Sequence, residues 1–349
     1  MSYVKYVIAA CAALTASVSP FTDVRAAEPS FEGKQISVYI SSAPGGGLDL
    51  YARTFARHMP NYLAGKPVMV PKNMPGAGGL QLANQMASAF PKDGTAVGAL
   101  TNGLTLSQLL DAGNARYDAA AYNWFGRVSD LPLLLVTWNT SKVKNATDMM
   151  TTEFAVSDTG PGSYGFLALS AIKNVLGAKM KVISGYTSGG ANRLAVERGE
   201  VDGTASIQWT IDAQHDWIIN NKMNILVQIA GTKYDNLPNV PLLADLAKDE
   251  ETRHVLNLFI APAEIGRGFA LPPDVPADIV KSYRTAFMKM VKDPAFIDEA
   301  KKQTLDVNPM DGETLQKVVV ASIKASPKEI ERARAAVATG PDKVKEEGK

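Results

Sequence analysis

The residues of this 349-residue chain with the most chemical potential are four glycine-rich turns and the hydroxyls beside them. Ser41-Ser-Ala-Pro-Gly-Gly-Gly47, Pro75-Gly-Ala-Gly-Gly79, Asp158-Thr-Gly-Pro-Gly-Ser-Tyr-Gly165 and Gly185-Tyr-Thr-Ser-Gly-Gly190 each follow an apolar stretch and precede a helical pattern. The first N–H groups of a helix have no intrahelical acceptor and lie at the positive end of its macrodipole. Such turns can therefore hold a carboxylate, sulfate or phosphate without Lys or Arg. Ser41, Ser42, Ser163, Tyr164, Thr187 and Ser188 add hydroxyl donors. One turn alone is explained by chain reversal; several converging on one edge are better explained by an anion.

Rival chemistries lack parts. Pro161-Gly162-Ser163-Tyr164-Gly165 is the nearest approach to a nucleophile elbow, but proline stands where Gly-x-Ser-x-Gly needs its first glycine, and no His partner is evident. Gly160-Pro-Gly-Ser-Tyr-Gly165 spells G-x-G-x-x-G, yet the next strand ends Ile183-Ser184-Gly185-Tyr186 without the acidic residue a ribose requires. No P-loop is present. His58, His215 and His254 are far apart and form no metal-binding pair, and His58 reads as a solvated residue on the outer part of a helix. Neither a cofactor nor a metal is expected. A hydrolase at Ser163 or a nucleotide-dependent protein at Gly160–Gly165 stays as the alternative function.

Composition narrows the partners. There are 36 Lys+Arg against 35 Asp+Glu, so no cationic excess exists to neutralise a nucleic-acid backbone. Met1–Lys5 carries a charge, Tyr6–Val18 is apolar and Val24-Arg25-Ala26 ends in a small residue, the pattern of a secretory signal cleaved after Ala26 or Ala27. Its removal takes two cations and one anion, leaving a formally neutral chain. The only cysteine, Cys11, goes with it, and the apolar stretch before Cys11 is too short for lipoprotein anchoring there. No later run is long enough to cross a bilayer. The mature protein is expected to be periplasmic, soluble and monomeric.

The elements that position the turns follow from periodicity. Gln35–Ile40 alternates as a strand, and Leu48, Tyr51, Ala52, Phe55, Ala56 and Met59 then share one helical face, with Arg53 and Arg57 outside. Val68–Val70, Phe154–Val156 and Lys181–Ser184 repeat this strand, turn and helix order, which predicts an α/β fold with mostly parallel sheets and ligands at the carboxyl ends of strands. Leu131–Trp138, Ile225–Ala230 and Leu256–Ala261 read as further strands and Ile279–Val291 as an amphipathic helix. Two α/β lobes with a cleft between them fit this layout, lobe 1 comprising 27–130 and 257–349 and lobe 2 comprising 131–256. The Lys343–Lys349 tail reads as frayed.

Pro44-Gly-Gly-Gly47-Leu-Asp49-Leu-Tyr-Ala52-Arg53 followed by Lys72-Asn-Met-Pro-Gly-Ala-Gly-Gly79 resembles the paired signature of periplasmic receptors of tripartite tricarboxylate transporters, the Bug family. Pro91-Lys-Asp-Gly-Thr95, the loop from Gly185 to Gly203 and Leu237-Pro-Asn-Val-Pro241 continue the resemblance over nearly all of the mature chain. It implies a two-lobed periplasmic-binding-protein fold, type II-like, that closes on a small carboxylate through main-chain amides and delivers it to a membrane permease. Carried over by position, it selects Ala43, Pro44, Gly45, Gly46 and Gly47 from one lobe and Gly160, Gly162, Ser163, Thr187, Ser188 and Gly189 from the other. Tyr164 and Asn102 join these as candidates. Asp49 either accepts N–H groups at its own helix start or reads an amino group of the ligand.

Two departures from the family pattern bear on the ligand. Tyr164-Gly165-Phe166 stands where many relatives place a His, and the usual short turn is replaced by Ala261-Pro-Ala-Glu-Ile-Gly-Arg-Gly-Phe-Ala-Leu-Pro-Pro273. Arg267 and Phe269 in that segment either reach the cleft or decorate a surface hairpin.

Overall fold

The computed structural model describes residues 29–338 apart from 112, 159, 161–162, 187–188, 207–219 and 235–236. The signal segment with Cys11, Gly162, Thr187, Ser188, His215 and the tail from Lys343 lie outside the described residues.

The expected alternation is present. β1 (Gln35–Ile40) runs through the first glycine-rich loop into α1 (Gly47–His58), β2 (Val68–Asn73) through the second into α2 (Leu80–Ser88), and β3 (Ala96–Ala99) into α3 (Leu104–Leu110). After β4 (Asn123–Arg127) come β5 (Leu133–Trp138), the single turn α4 (Asp148–Thr151), β6 (Phe154–Asp158), α5 (Tyr164–Leu176), β7 (Met180–Ser184), α6 (Gly189–Glu197), β8 (Gly203–Ser206) and β9 (Met223–Ile229). Then follow α7 (Glu250–Ile265), β10 (Gly268–Leu271), α8 (Ala277–Met290), α9 (Pro294–Lys302), β11 (Met310–Asp311), α10 (Gly312–Ser322) and α11 (Pro327–Ala338).

The strands form two sheets, β11-β4-β10-β3-β1-β2 and β7-β6-β8-β5-β9. β1 is parallel to β2 and β3, while β10 is antiparallel to β3 and β4, so β1 to β4 all point the same way. In the second sheet β6 is parallel to β7 and β8, and β5 alone is reversed against β8 and β9. The chain therefore leaves the carboxyl end of β4 and enters the amino end of β5, and the carboxyl edges of both sheets border this one crossover.

Both faces of the first sheet are covered. Ile36, Val38, Ile40, Phe125 and Phe269 meet α1 and α8 on one side, and Trp124 and Ala270 meet α2 and α10 on the other. Phe269 is a core residue, stacked on Phe55 with centroids 4.4 Å apart, and not part of a surface hairpin. The second sheet buries Leu133, Leu135, Val156 and Val227 against α5, α7 and α11.

Two expectations change. Leu256–Ala261 is the middle of α7 and not a strand: Asp249 caps the helix by accepting from Thr252 N–H at 2.7 Å, and Glu250 and Glu251 suit its positive end. Its outer face carries the exposed Glu250, His254 and Asn257, a stripe too widely spaced to show in the six-residue window, and a short apolar run does not distinguish a helix from a strand. His58 is not solvated; its ring packs edge-on to Phe296 and its Nε2 lies 2.6 Å from Glu299.

The chain returns from the second sheet to the first beside its outward path. Leu131 N–H donates to Ala263 O, Arg267 N–H to Ser129 O and Val128 N–H to Arg267 O. Gly266 makes this pairing possible: at φ 52° and ψ −128° it occupies a region closed to other residues, and a Cβ there would sit 2.1 Å from Ser129 O. Gly266→Ala should therefore lower stability by at least ~2 kcal/mol in urea denaturation. An unchanged midpoint would show that the two crossovers are not held as described.

Candidate ligand-binding site

The first glycine-rich loop is exposed from Ala43 to Gly47 and is held from beneath. Asp49, buried in the first turn of α1, accepts at Oδ2 from Gly45 N–H (2.9 Å) and Arg53 Nε (2.9 Å), and at Oδ1 from Asn73 Nδ2 (2.8 Å). Asn73, at the end of β2, also donates to Ser42 O and accepts from Arg53 Nη2 at 2.7 Å. Burial opposes ionisation of Asp49, but the bonds from Arg53, Gly45 and Asn73 outweigh it and hold its carboxyl below the usual range. Of its two readings, the geometry presents the capping one, since the carboxylate is already engaged by three donors. Asn73 lies within the sequence signature, but its bridging role depends on the register that sets it opposite Ile40.

The loops after β1, β2 and β3 meet. Gly79, at φ 101°, lies so close to Thr101 and Ser41 that a Cβ there would be 2.6 Å from one and 3.4 Å from the other. Asn102 is buried and donates to Pro262 O at 3.0 Å, tying the end of β3 to α7. At the same edge Arg267, just before β10, reaches back to α1. Its Nη2 lies 2.9 Å from where a Gly47 Cβ would stand, and its guanidinium carbon is 5.6 Å from the Tyr51 ring centroid. The phenol of Tyr51 donates to Asp306 O and is pushed up to about 12 by burial.

In the other sheet Asp158 ends β6 and organises the third turn. Its Oδ1 accepts from Gly160 N–H (2.8 Å) and from the Ser163 hydroxyl (2.6 Å), while Ser163 Oγ accepts from Phe166 N–H (2.9 Å) as the cap of α5. The Ser163 hydroxyl thus serves the fold. Tyr164 turns its hydroxyl to Phe259 O, on α7, at 2.9 Å. Gly189 begins α6. Gly160 and Ser163 are therefore together, and Ala43–Gly47 are together on the other sheet.

Unpartnered buried polar atoms mark the same edges. Among the described residues these are Oγ of Ser41 and Ser42 after β1, Nε of Arg127 at the end of β4, Oγ of Ser184 at the end of β7, Oδ1 of Asn192 in α6 and Nε of Arg267. Buried groups in native proteins nearly always have partners, so their gathering here is a signal of a ligand or water. Ser184 and Asn192 were missed in the sequence because an isolated Ser or Asn carries no motif. A separate groove between α7, α10 and α11 is lined by His254, Glu264, Lys317 and Glu329 among others, and none of these atoms belongs to it. No His/Cys/Asp/Glu group able to hold a metal occurs among the described residues.

Two sheets joined by paired crossovers, with glycine-rich loops at their carboxyl edges, define the periplasmic solute-binding class. Residues 51–334 match the family model "Tripartite tricarboxylate transporter family receptor", and the chain belongs to that family of solute receptors. Solved structures share its fold. A TctC solute-binding protein from Polaromonas superposes with a TM-score of 0.66 at 17% identity, covering 88% of this chain and 99% of that one. Two proteins from Rhodopseudomonas palustris, Rpa4515 with adipate and MatC with bound malate, give TM-scores of 0.60 and 0.58, each at 17% identity. They cover 88% and 87% of this chain and 98% of their own.

The Asp49 network predicts a pH-dependent effect. At pH 7 Asp49→Asn should cost about 1–3 kcal/mol, since an amide presents donors to Arg53 or Asn73. Because the folded pKa is depressed, the wild-type advantage is complete above the unfolded value near ~3.9 and disappears as pH falls through the folded one. Urea titrations from pH 7 to pH 2 should show the two proteins converging; a constant gap would show that the carboxylate charge is not what holds the loop.

Proposed function

We propose that this receptor captures a small carboxylate between two lobes and passes it to the permease of a tripartite transporter. The carrying observation is the gathering of unpartnered buried polar atoms at the carboxyl edges of the two sheets. The adipate and malate carried by fold neighbours support the ligand class. We assign the amides of Gly46 and Gly47 to the ligand, because Gly45 N–H is taken by Asp49, Gly160 N–H by Asp158 and Ser163 N–H by Gly160 O; Gly189 at the start of α6 joins them, and Gly162, Thr187 and Ser188 lie outside the described residues. We place the first lobe boundary near residue 130. The second we set at Gly266 in preference to 257, because α7 buries its apolar residues in the second core; α11 buries Ala333 and Ala336 there too, so we assign that last helix to lobe 2 as well. Residues 1–26 act as the export signal, and the mature protein works outside the cytoplasm as a monomer. Among the described residues no helix is long and apolar enough to cross a membrane.

Ligand closure rests on tighter binding to the closed arrangement, so a ligand at 100 times its Kd stabilises the protein by ~2.7 kcal/mol. Mass spectrometry of acids released from protein purified from its native periplasm, followed by a thermal-shift panel of di- and tricarboxylates, amino acids and aromatic acids, tests the class. Absence of both a released acid and any stabilisation would overturn it. Gly46→Val tests backbone approach. At φ −79° and ψ 165°, with Ala43 O the nearest atom to a Cβ at 3.7 Å, the fold accepts valine there. Its melting temperature should stay near wild type while carboxylate affinity is lost; unchanged affinity would remove this loop from the binding surface.

A further inference from the structure

The placement of Arg267 makes electrostatic sense only with an anion beside it. Its guanidinium lies against the α-carbon of Gly47, at the amino end of α1, where unpaired N–H groups already carry about half a positive charge. Two positive groups thus face each other. Arg267 has no ion-pair partner among the described residues, its Nε is sealed from solvent without an acceptor, and its one aromatic contact is the face of Tyr51. Burial pushes the guanidinium below its ordinary value, with only the Tyr51 phenol acting in the other direction. Arginine nevertheless stays protonated in proteins. A buried charge is normally paired, because leaving it unpaired costs more than most single contacts return.

Ser41 supplies a second, independent observation. It is 6% exposed, follows β1 at the start of the same loop, and its hydroxyl has no partner among the described residues. The position of Arg267 in the chain adds a third. Its main chain is paired to Val128 and Ser129 in the crossover, so the guanidinium is anchored where the two sheets join, while its head is free to pair.

We propose that Arg267 is the residue that reads the charge of the ligand, its planar fork gripping one carboxylate in two parallel N–H···O bonds while the amides at Gly46 and Gly47 and the Ser41 hydroxyl complete the oxygen shell. This deepens the carboxylate-receptor reading and rests on it. The ligand enters with one carboxylate toward the crossover and its remainder toward the carboxyl end of β6. Gly47 is glycine because any Cβ would displace the guanidinium: the 2.9 Å approach is to the end of a flexible side chain, so alanine is tolerated by the fold and not by the ion pair.

The test is isothermal titration of the full mature protein with adipate and malate, and with adipamide as the uncharged counterpart of adipate. Wild type should bind an acid and strongly prefer adipate to adipamide. Arg267→Met should weaken binding of the acid at least ~30-fold and erase the preference for charge, with the ligand-free melting temperature unchanged or raised because an unpaired buried cation is gone. Arg267→Lys should recover part of the affinity, as it keeps the charge without the fork. Gly47→Ala retains Arg267 and should lose affinity as well, which keeps the test decisive if Arg267→Met folds poorly. If wild type binds the acids and both Arg267→Met and Gly47→Ala bind them within twofold, this inference fails and the receptor reading stands. If wild type binds no acid of the thermal-shift panel and releases none on purification, the receptor reading fails and takes this inference with it; an acid found there in place of adipate and malate is titrated against the same variants with its own amide.

Discussion

The pairing of Val128–Leu131 with Ala263–Arg267 is the constraint on which the rest of the molecule depends. Because β4 ends and β5 begins at this crossover, the carboxyl edge of each sheet is set beside the same few residues, and every loop that follows a parallel strand opens toward them. The return path must lie alongside, and it fits only because Gly266 adopts a conformation closed to residues with a Cβ. A stiff joint made of main-chain bonds then leaves side chains free for other tasks. Arg127 donates from Nη1 to the Glu264 carbonyl across the crossover, and Arg267 points its guanidinium the other way, toward α1.

Charge is handled locally. The chain has a formal net charge of only +1, so on the proposed reading no strong long-range field draws an anion in, and attraction must come from helix starts and the few cations near them. On that reading the first loop is prepared by Asp49, a buried carboxylate that takes the Gly45 N–H, while the Gly46 and Gly47 amides have no acceptor among the described residues. Arg53, which pairs with Asp49, is committed to that scaffold and to Asn73, so it is not available to a ligand. Arg267 is the contrasting case, a cation at the same helix start with no ion-pair partner among the described residues.

The strand-loop-helix units were legible because each is short, local and signalled by period-2 or period-3.6 apolar spacing followed by glycine; β1 and α1 emerge with the residues the pattern assigned. What failed was an element read through too short a window to show its period. α7 is the clear example: Glu250, His254 and Asn257 form an exposed stripe along it, but the window Leu256–Ala261 holds only Asn257 of these, so the helical period does not show there. The site divides the same way. Gly-rich loops announce themselves, but Ser163 proved to be a cap and Tyr164 to face α7, because hydroxyls beside a glycine turn have two possible customers, the ligand and the helix. Asn73 and Arg267 could be weighed only after register and crossover were known, since each acts on a residue far away in sequence.

The unpartnered atoms also bear on how such a receptor tells empty from full. A buried donor or acceptor without a partner costs roughly 1–3 kcal/mol. Ser41, Ser42, Ser184, Asn192 and Arg267 therefore place their cost in the ligand-free molecule, at sites where packing between other residues cannot relieve it. On the proposed reading a carboxylate repays part of that cost at both edges at once, which makes the two-edged, closed arrangement the one it favours. The same atoms that weaken the empty protein thus give the ligand its differential affinity, and an apolar repacking of these positions would make a more stable protein with no reason to close.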